Sequence, residues 1–260
     1  MNPSSIASIN RLGRIKKRDV YKRVITPKIL GLFDLSPFFI DDAGNDLLEI
    51  KAPEGSSSVE LKLFHEYGFP DPILYGHLTD TLNGKIHILL YIMNDPESPR
   101  FDVDKLPDGS STVFGTQTRN LEAEQAAMDA GLMPGQVRRG LGLLSDATAS
   151  FEQFILSLGQ AIYFVEPLYY HNALIFERYG FAYQQGRRRM MRIHEGFSPG
   201  GELAAKLDGS TFRKPEAASR IRLRSWAIHD GILGEPFSDV TMYKKVGKQA
   251  GINTSPGVGW

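Results

Sequence analysis

The 260-residue sequence contains no cysteine. That excludes disulfides, a thiol nucleophile, cysteine-held iron–sulfur clusters and cysteine-ligated zinc. It fits a reducing compartment, and the expected localisation is cytoplasmic. No apolar run approaches the roughly 18 residues that a membrane-crossing helix needs. The amino terminus also lacks the compact apolar core of a secretory signal. There is no internal repeat, no low-complexity segment and no net charge, because 30 Lys and Arg balance 30 Asp and Glu. What remains is a globular chain long enough to bury an ample core.

The zero net charge conceals three blocks: +7 over residues 1–31, −12 over residues 32–130 and +5 over residues 131–260. Residues 1–28 carry Arg11, Arg14, Lys16, Lys17, Arg18, Lys22, Arg23 and Lys28 among few large apolar residues. They read as a basic arm, either paired internally or presented to an acidic protein partner or anionic surface. No aromatic stacking platform or nucleic-acid motif accompanies the arm, which argues against nucleic acid.

The strongest local signal is Ile73–Met93, two apolar segments around Asn83-Gly84. That dipeptide suits a two-residue type I′ turn, because both central residues need positive φ. Such a turn sets Leu82 opposite Lys85, Asp80 opposite His87 and His77 opposite Leu90. Next, residues 94–111 are rich in Pro, Asp and Ser and read as a long connection. Asn120 is placed to cap a helix that Gly131 closes. Pro134 begins a second predicted helix with Val137, Leu141 and Leu144 on one face. A third runs from about Thr148 to Leu158, with Phe151, Phe154 and Ile155 in its apolar stripe.

A strand over Ala161–Val165 then leads through Glu166-Pro167 into a helix that stops at Gly180. Three arginines, Arg187–Arg189, close this stretch. Further on, helices are expected near Gly201–Leu207 and from Pro215, and a last strand over Asp239–Val246. The order of strands, then helices, then strand, helix and strand reads as α+β with a mostly antiparallel sheet and a central helical segment. The expected organisation is a basic arm over residues 1–28, a single α+β domain over residues 29–250 and an irregular tail over residues 251–260.

Eight of the 21 residues from Tyr163 to Tyr183 are aromatic, with Glu166, His171 and Glu177 among them. Ionisable groups in an aromatic wall are candidates for shifted pKa values and for catalysis. The ending Phe176-Glu177-Arg178-Tyr179-Gly180-Phe181, with RRGLGLL at Arg138–Leu144 upstream, resembles the GNAT acyltransferase superfamily. The resemblance covers residues 138–181. It implies a GNAT-like fold and an acyl-CoA-dependent acyltransferase. Arg138, Arg139, Gly140 and Gly142 would then cradle the pyrophosphate at a helix start, where glycines let backbone amides approach and the helix dipole favours anions. Glu166, His171 and Tyr179 are the catalytic candidates.

Two other readings stay open. His171, His194 and His229 with Glu166 could form a metal site for iron or zinc, giving a metal-dependent enzyme. No two of them stand at helical spacing, so they would have to converge through the fold. Alternatively the chain is a non-enzymatic assembly subunit docking through its basic arm. Finally, Arg187, Arg188, Arg189 and Arg192, facing Arg220, Arg222 and Arg224, could bind a small anionic ligand, since guanidinium forks hold phosphate and carboxylate bidentately.

Overall fold

The computed structural model describes residues 3–112 and 118–260. The expected α+β class with a mostly antiparallel sheet holds. The chain divides into two compact units, each assembled from separated segments. The first comprises residues 1–96, 140–166 and 243–249, and the second residues 97–139, 167–242 and 250–260. The chain therefore leaves the first unit within the long Pro- and Asp-rich connection and re-enters it at Gly140.

The first unit opens with three short helices, α1 (Ile6–Asn10), α2 (Arg14–Tyr21) and α3 (Pro27–Leu32). Here the expectation of an arm fails. Ile6, Ile9, Tyr21, Val24 and Ile29 are fully buried. Three of the eight cations that suggested an arm pair within the unit: Arg18 with Asp46 at 2.7 Å, Lys22 with Asp19 at 3.0 Å and Lys28 with Asp146 at 2.9 Å. Asp80 accepts hydrogen bonds from the backbone N–H groups of Ile6 and Ala7, at 2.7 and 2.9 Å, and so satisfies free donors at the start of α1.

Four antiparallel strands follow: β1 (Leu48–Lys51), β2 (Ser58–Leu63), β3 (Leu74–Asp80) and β4 (Ile86–Met93). Alternation puts Val59, Leu61 and Leu63 of β2 in the core while Ser58, Glu60 and Lys62 face outward. The β3–β4 hairpin forms where expected but with a different turn. Gly84 alone takes positive φ (+68°), while Asn83 does not. Thr81 N–H donates to the Lys85 carbonyl at 2.7 Å, closing a three-residue loop. The pairing therefore slips, so Asp80 faces Ile86 and Thr79 faces His87. A bulge between His77 and Leu78 restores the expected pairing of His77 with Leu90.

In the second unit, α4 (Leu121–Asp129) starts at Asn120, whose side chain accepts from Ala123 N–H, as the sequence indicates. The helix expected from Pro134 is absent. Gly135 and Gly142 take φ of +79° and +71°, a left-handed conformation that no helix accommodates. Residues 133–143 form a loop, and the next helix, α5 (Leu144–Ser157), belongs to the first unit. It leads into β5 (Ile162–Val165), which pairs with β4 in parallel. On α5, Phe151 packs on Tyr163 of β5, ring centroids 5.2 Å apart.

The rest of the second unit carries α6 (Tyr170–Arg178), β6 (Ala182–Gln185), α7 (Arg187–Gly196) and α8 (Ile221–His229). The arginine run thus opens α7 and does not end a strand. The unit boundary falls inside β7 (Thr241–Lys245). Trp226 of α8 is fully buried, stacked on Phe212 and donating to the Leu132 carbonyl at 3.0 Å. The tail over 251–260 contains no helix or strand, yet Thr254 and Ser255 are buried. Among the described residues no helix is long and apolar enough to cross a membrane.

Candidate functional site

In the first unit the β4–β5 pairing is unusually short. Strand β4 pairs with β3 along its length, but with β5 only at His87–Phe164 and Ile88–Val165. After Ile88 the next bridge on β4 outside that hairpin joins Asn94 to Gly140. Between them, Leu89–Met93 have no second strand partner among the described residues, and all five are only half-buried. A strand inside a sheet normally buries such residues and pairs both edges. Here, among the described residues, the side of β4 away from β3 has no strand partner over Leu89–Met93, and these mostly apolar side chains are half-buried.

The Asn94–Gly140 bridge sets Gly140–Leu143 at the end of that edge, and the chain then enters α5. The first turn of α5 has no side-chain cap, which leaves backbone donors at a positive dipole end. A Cβ on Gly142 would meet nothing within 4 Å, so the loop is open there. Asp146 in the first turn is paired with Lys28. The two arginines of the predicted cradle belong to the second unit. Arg138 is buried and donates to the Ser98 carbonyl, while Arg139 N–H donates to Ser98 Oγ at 3.1 Å. Gly140 and Gly142 thus lie with α5, whereas Arg138 is committed to Ser98.

The three catalytic candidates are also divided. Glu166 is exposed in the first unit, and its N–H donates to the Ile88 carbonyl at 3.3 Å. His171 and Tyr179 belong to the second. The group near Glu166 is instead His87, which sequence reasoning paired with Asp80. Its Nε2 has no hydrogen-bond partner among the described residues. Desolvation lowers its pKa, and the Glu166 charge opposes that shift.

The second unit holds a buried polar array that no local motif announces. His171, fully enclosed, has Nδ1 2.8 Å from Ser225 Oγ and its ring stacked on Tyr169. Burial, followed by the nearby His229, pushes its pKa down to about 3. His229 Nε2 lies 3.0 Å from Glu124 Oε1, and Arg119 grips the same carboxylate from the other side. Desolvation of Glu124 is outweighed by those two partners, so its pKa falls below the usual range. Arg119 also reaches Asp230 at 2.7 Å, and Asp230 in turn accepts from Arg213 at 2.9 Å.

His194 sits elsewhere, its Nδ1 3.2 Å from the guanidinium of Arg224. His171, His194 and His229 are thus each held by a different partner. Among the described residues no three His, Cys, Asp or Glu side chains are grouped so as to hold a metal ion. The helix ending that carried the family resemblance has a structural role of its own. Gly180 takes φ +79° and closes α6, and Glu177 is buried, accepting from Thr254 Oγ1 at 2.6 Å and Tyr183 Oη at 2.5 Å.

Of the two arginine runs, Arg189 pairs with Glu235 at 2.9 Å, Arg222 donates to the Met128 carbonyl, and Arg224 is buried against the Ala217 and Ala218 carbonyls. No family model matches the chain, and neither does a curated protein or a solved structure.

Proposed function

We propose that the first unit binds an acyl-CoA and that the protein is an acyl-CoA-dependent acyltransferase. The observation that carries this reading is the parallel β4–β5 pair. It joins only at His87 and Ile88, leaves Leu89–Met93 without a second strand partner among the described residues, and is followed by the bridge from Asn94 to the Gly140–Leu143 loop at the uncapped start of α5. The resemblance of RRGLGLL calls for a strand, a glycine loop and a helix start in that order, and the bridge from Asn94 to Gly140 with α5 beginning at Leu144 supports that reading.

The fit of the anionic group rests on the loop. Free N–H groups at the α5 start and the open space at Gly142 suit pyrophosphate oxygens, and Lys28 offsets the acidic Asp146 in the same turn. The side of β4 that has no strand partner over Leu89–Met93 among the described residues would offer backbone donors and acceptors to the amide-bearing arm of the ligand. Bound thioester supplies an activated acyl group. Proton removal from the acceptor falls to the pair at the junction of the strands: His87, kept neutral by burial, and the exposed Glu166 beside it.

The experiment is thermal unfolding with saturating acetyl-CoA and longer acyl-CoAs. A ligand at 100 times its dissociation constant adds about 2.7 kcal/mol to the stability of the unit that binds it. Gly142→Asp should remove the shift by placing a negative charge on the loop. Gly142→Asn, which tolerates φ near +71°, should keep it, because Asn visits the left-handed region readily. No stabilisation by any acyl-CoA refutes the reading.

A further inference from the structure

One face of the first unit leaves large apolar side chains in solvent. Ile15 on α2 is 79% exposed and Phe38, in the loop joining α3 to β1, is 71% exposed, while Ile40 two residues on is exposed as well. Exposed apolar surface rimmed by polar residues marks an interaction site. The backbone itself holds Phe38 outward. Phe39 takes φ of +56°, which a bulky residue adopts only under strain, and its ring is buried. Its N–H donates to the Ser36 carbonyl and its carbonyl accepts from Leu47 N–H, both at 2.8 Å. Strain of this kind persists where the surrounding structure enforces it. Here it turns Phe39 inward and Phe38 outward.

Arg18 ties Ile15 and Phe38 to one face. Its guanidinium donates to the Phe38 carbonyl at 3.1 Å and pairs with Asp46 at 2.7 Å, and Asp46 bridges to Ile40. Arg14 and Ile15 stand four and three residues before Arg18, on the same side of α2. Charge divides the face. On the α2 side, Arg11 and Arg14 are exposed and have no ion-pair partner among the described residues, and the start of α2 has no side-chain cap. On the loop side, Asp34, Asp41 and Asp42 stand together with Pro37 and Ile40, and neither Asp34 nor Asp42 has an ion-pair partner among the described residues.

A surface with a positive half, a negative half and apolar side chains between them is complementary to itself. A two-fold rotation sets each half against the opposite half of a second copy, and closed two-fold dimers are the commonest oligomers. We infer that a second copy of this chain docks on this face in a closed two-fold dimer. Ile15 and Phe38 of both copies meet at its centre, and Arg11 and Arg14 of each copy face Asp34 and Asp42 of the other. The apolar side chains supply affinity, and the charges set the register and the salt dependence. The inference does not depend on acyl-CoA binding, and a chain that binds no acyl-CoA would still dimerise.

The test is sedimentation velocity of the full chain from about 1 to about 100 μM, in about 50 mM and about 500 mM sodium chloride. At low salt the chain should rise with concentration to the mass of a dimer and stop there, and high salt should weaken the dimer roughly ten-fold. Phe38→Ser should leave a monomer, and so should the pair Arg11→Glu, Arg14→Glu. The pair Asp34→Asn, Asp42→Lys should do the same, with Asn chosen because it tolerates the φ of +50° at Asp34. Mixing the two charge variants should restore a dimer, since the intact acidic half of one then meets the intact basic half of the other. All five positions are exposed, and circular dichroism reports whether each variant is folded. A monomer throughout, growth beyond a dimer, or a dimer indifferent to salt or to Phe38→Ser would overturn the inference. So would a chain that stays monomeric and binds anionic phospholipid vesicles through Arg11 and Arg14.

Discussion

The enclosure of His171 makes stability in mild acid a sharp test of the second unit. Its imidazole is sealed in α6, bonded to Ser225 and stacked on Tyr169, and its pKa is pushed down to about 3 by burial and then by His229. In the unfolded chain a histidine titrates near 6.5. A depressed histidine is stabilised in its neutral form, so its contribution is complete above the unfolded value and is lost as pH falls. Between about pH 6.5 and the folded value of about 3 the unfolded state binds one proton that the native state refuses. Stability should fall by about 1.4 kcal/mol per pH unit across that window, or about 2–3 kcal/mol between pH 6 and pH 4. Urea unfolding at half-unit pH steps, followed by the fluorescence of Trp226 and Trp260, reads this slope. Both tryptophans lie in the second unit, and Trp226 is wholly buried. His171→Asn keeps a side-chain partner for Ser225 and removes the titration. It should lower stability at pH 7 by about 1–3 kcal/mol, through the space it leaves, and flatten the slope by one proton. Comparison with the unmodified chain cancels the contribution of His194, whose pKa is also lowered by desolvation and by Arg224. Equal slopes for the two proteins between pH 4 and pH 6 would refute the claim that His171 is buried neutral.

Two further substitutions probe the same unit. Glu124→Ala strips His229 and Arg119 of their shared carboxylate, which is 2% exposed, and should cost about 3–5 kcal/mol in urea unfolding. A loss below about 1 kcal/mol would place that array in solvent. Gly135→Ala would set a Cβ 2.6 Å from Tyr169 Cζ at a φ of +79°, and strain with overpacking should together cost about 2–4 kcal/mol; unchanged stability would mean that Tyr169 does not lie on that backbone.

The sequence announced elements whose signals are local. Asn83-Gly84 between apolar runs marked the hairpin, and Asn120 and Gly131 marked the ends of α4. It misjudged what depends on a single torsion or on distant partners. The hairpin register turned on whether Asn83 joined Gly84 at positive φ, and it did not. The amino-terminal helices were hidden by their charge. Ile6 and Ile9, and Tyr21 and Val24, stand at helical spacing, but the lysines and arginines of residues 11–28 outweigh them in composition. The helix expected from Pro134 rests on apolar spacing alone and undervalues Gly135 and Gly142, whose positive φ breaks it. Glu124 and His229 meet across 105 residues, and His171 and Ser225 across 54. Such pairs leave no motif, because only the packed fold brings them together.

The division of the chain separates in sequence elements that the first unit brings together. A strand, a glycine loop, a helix and a parallel strand make one crossover, and such crossovers are normally close in sequence. Here residues 97–139 of the second unit intervene between the end of β4 and the loop. The segment that directly precedes the glycine loop in sequence is therefore α4 and its following turn, not β4. Among the described residues a bridge from Asn94 to Gly140 closes the interruption and returns the loop to the end of β4. Loop closure across the intervening segment costs little, since its entropy grows only with the logarithm of length. A unit inserted at that point can thus leave the geometry of the crossover standing while erasing its spacing.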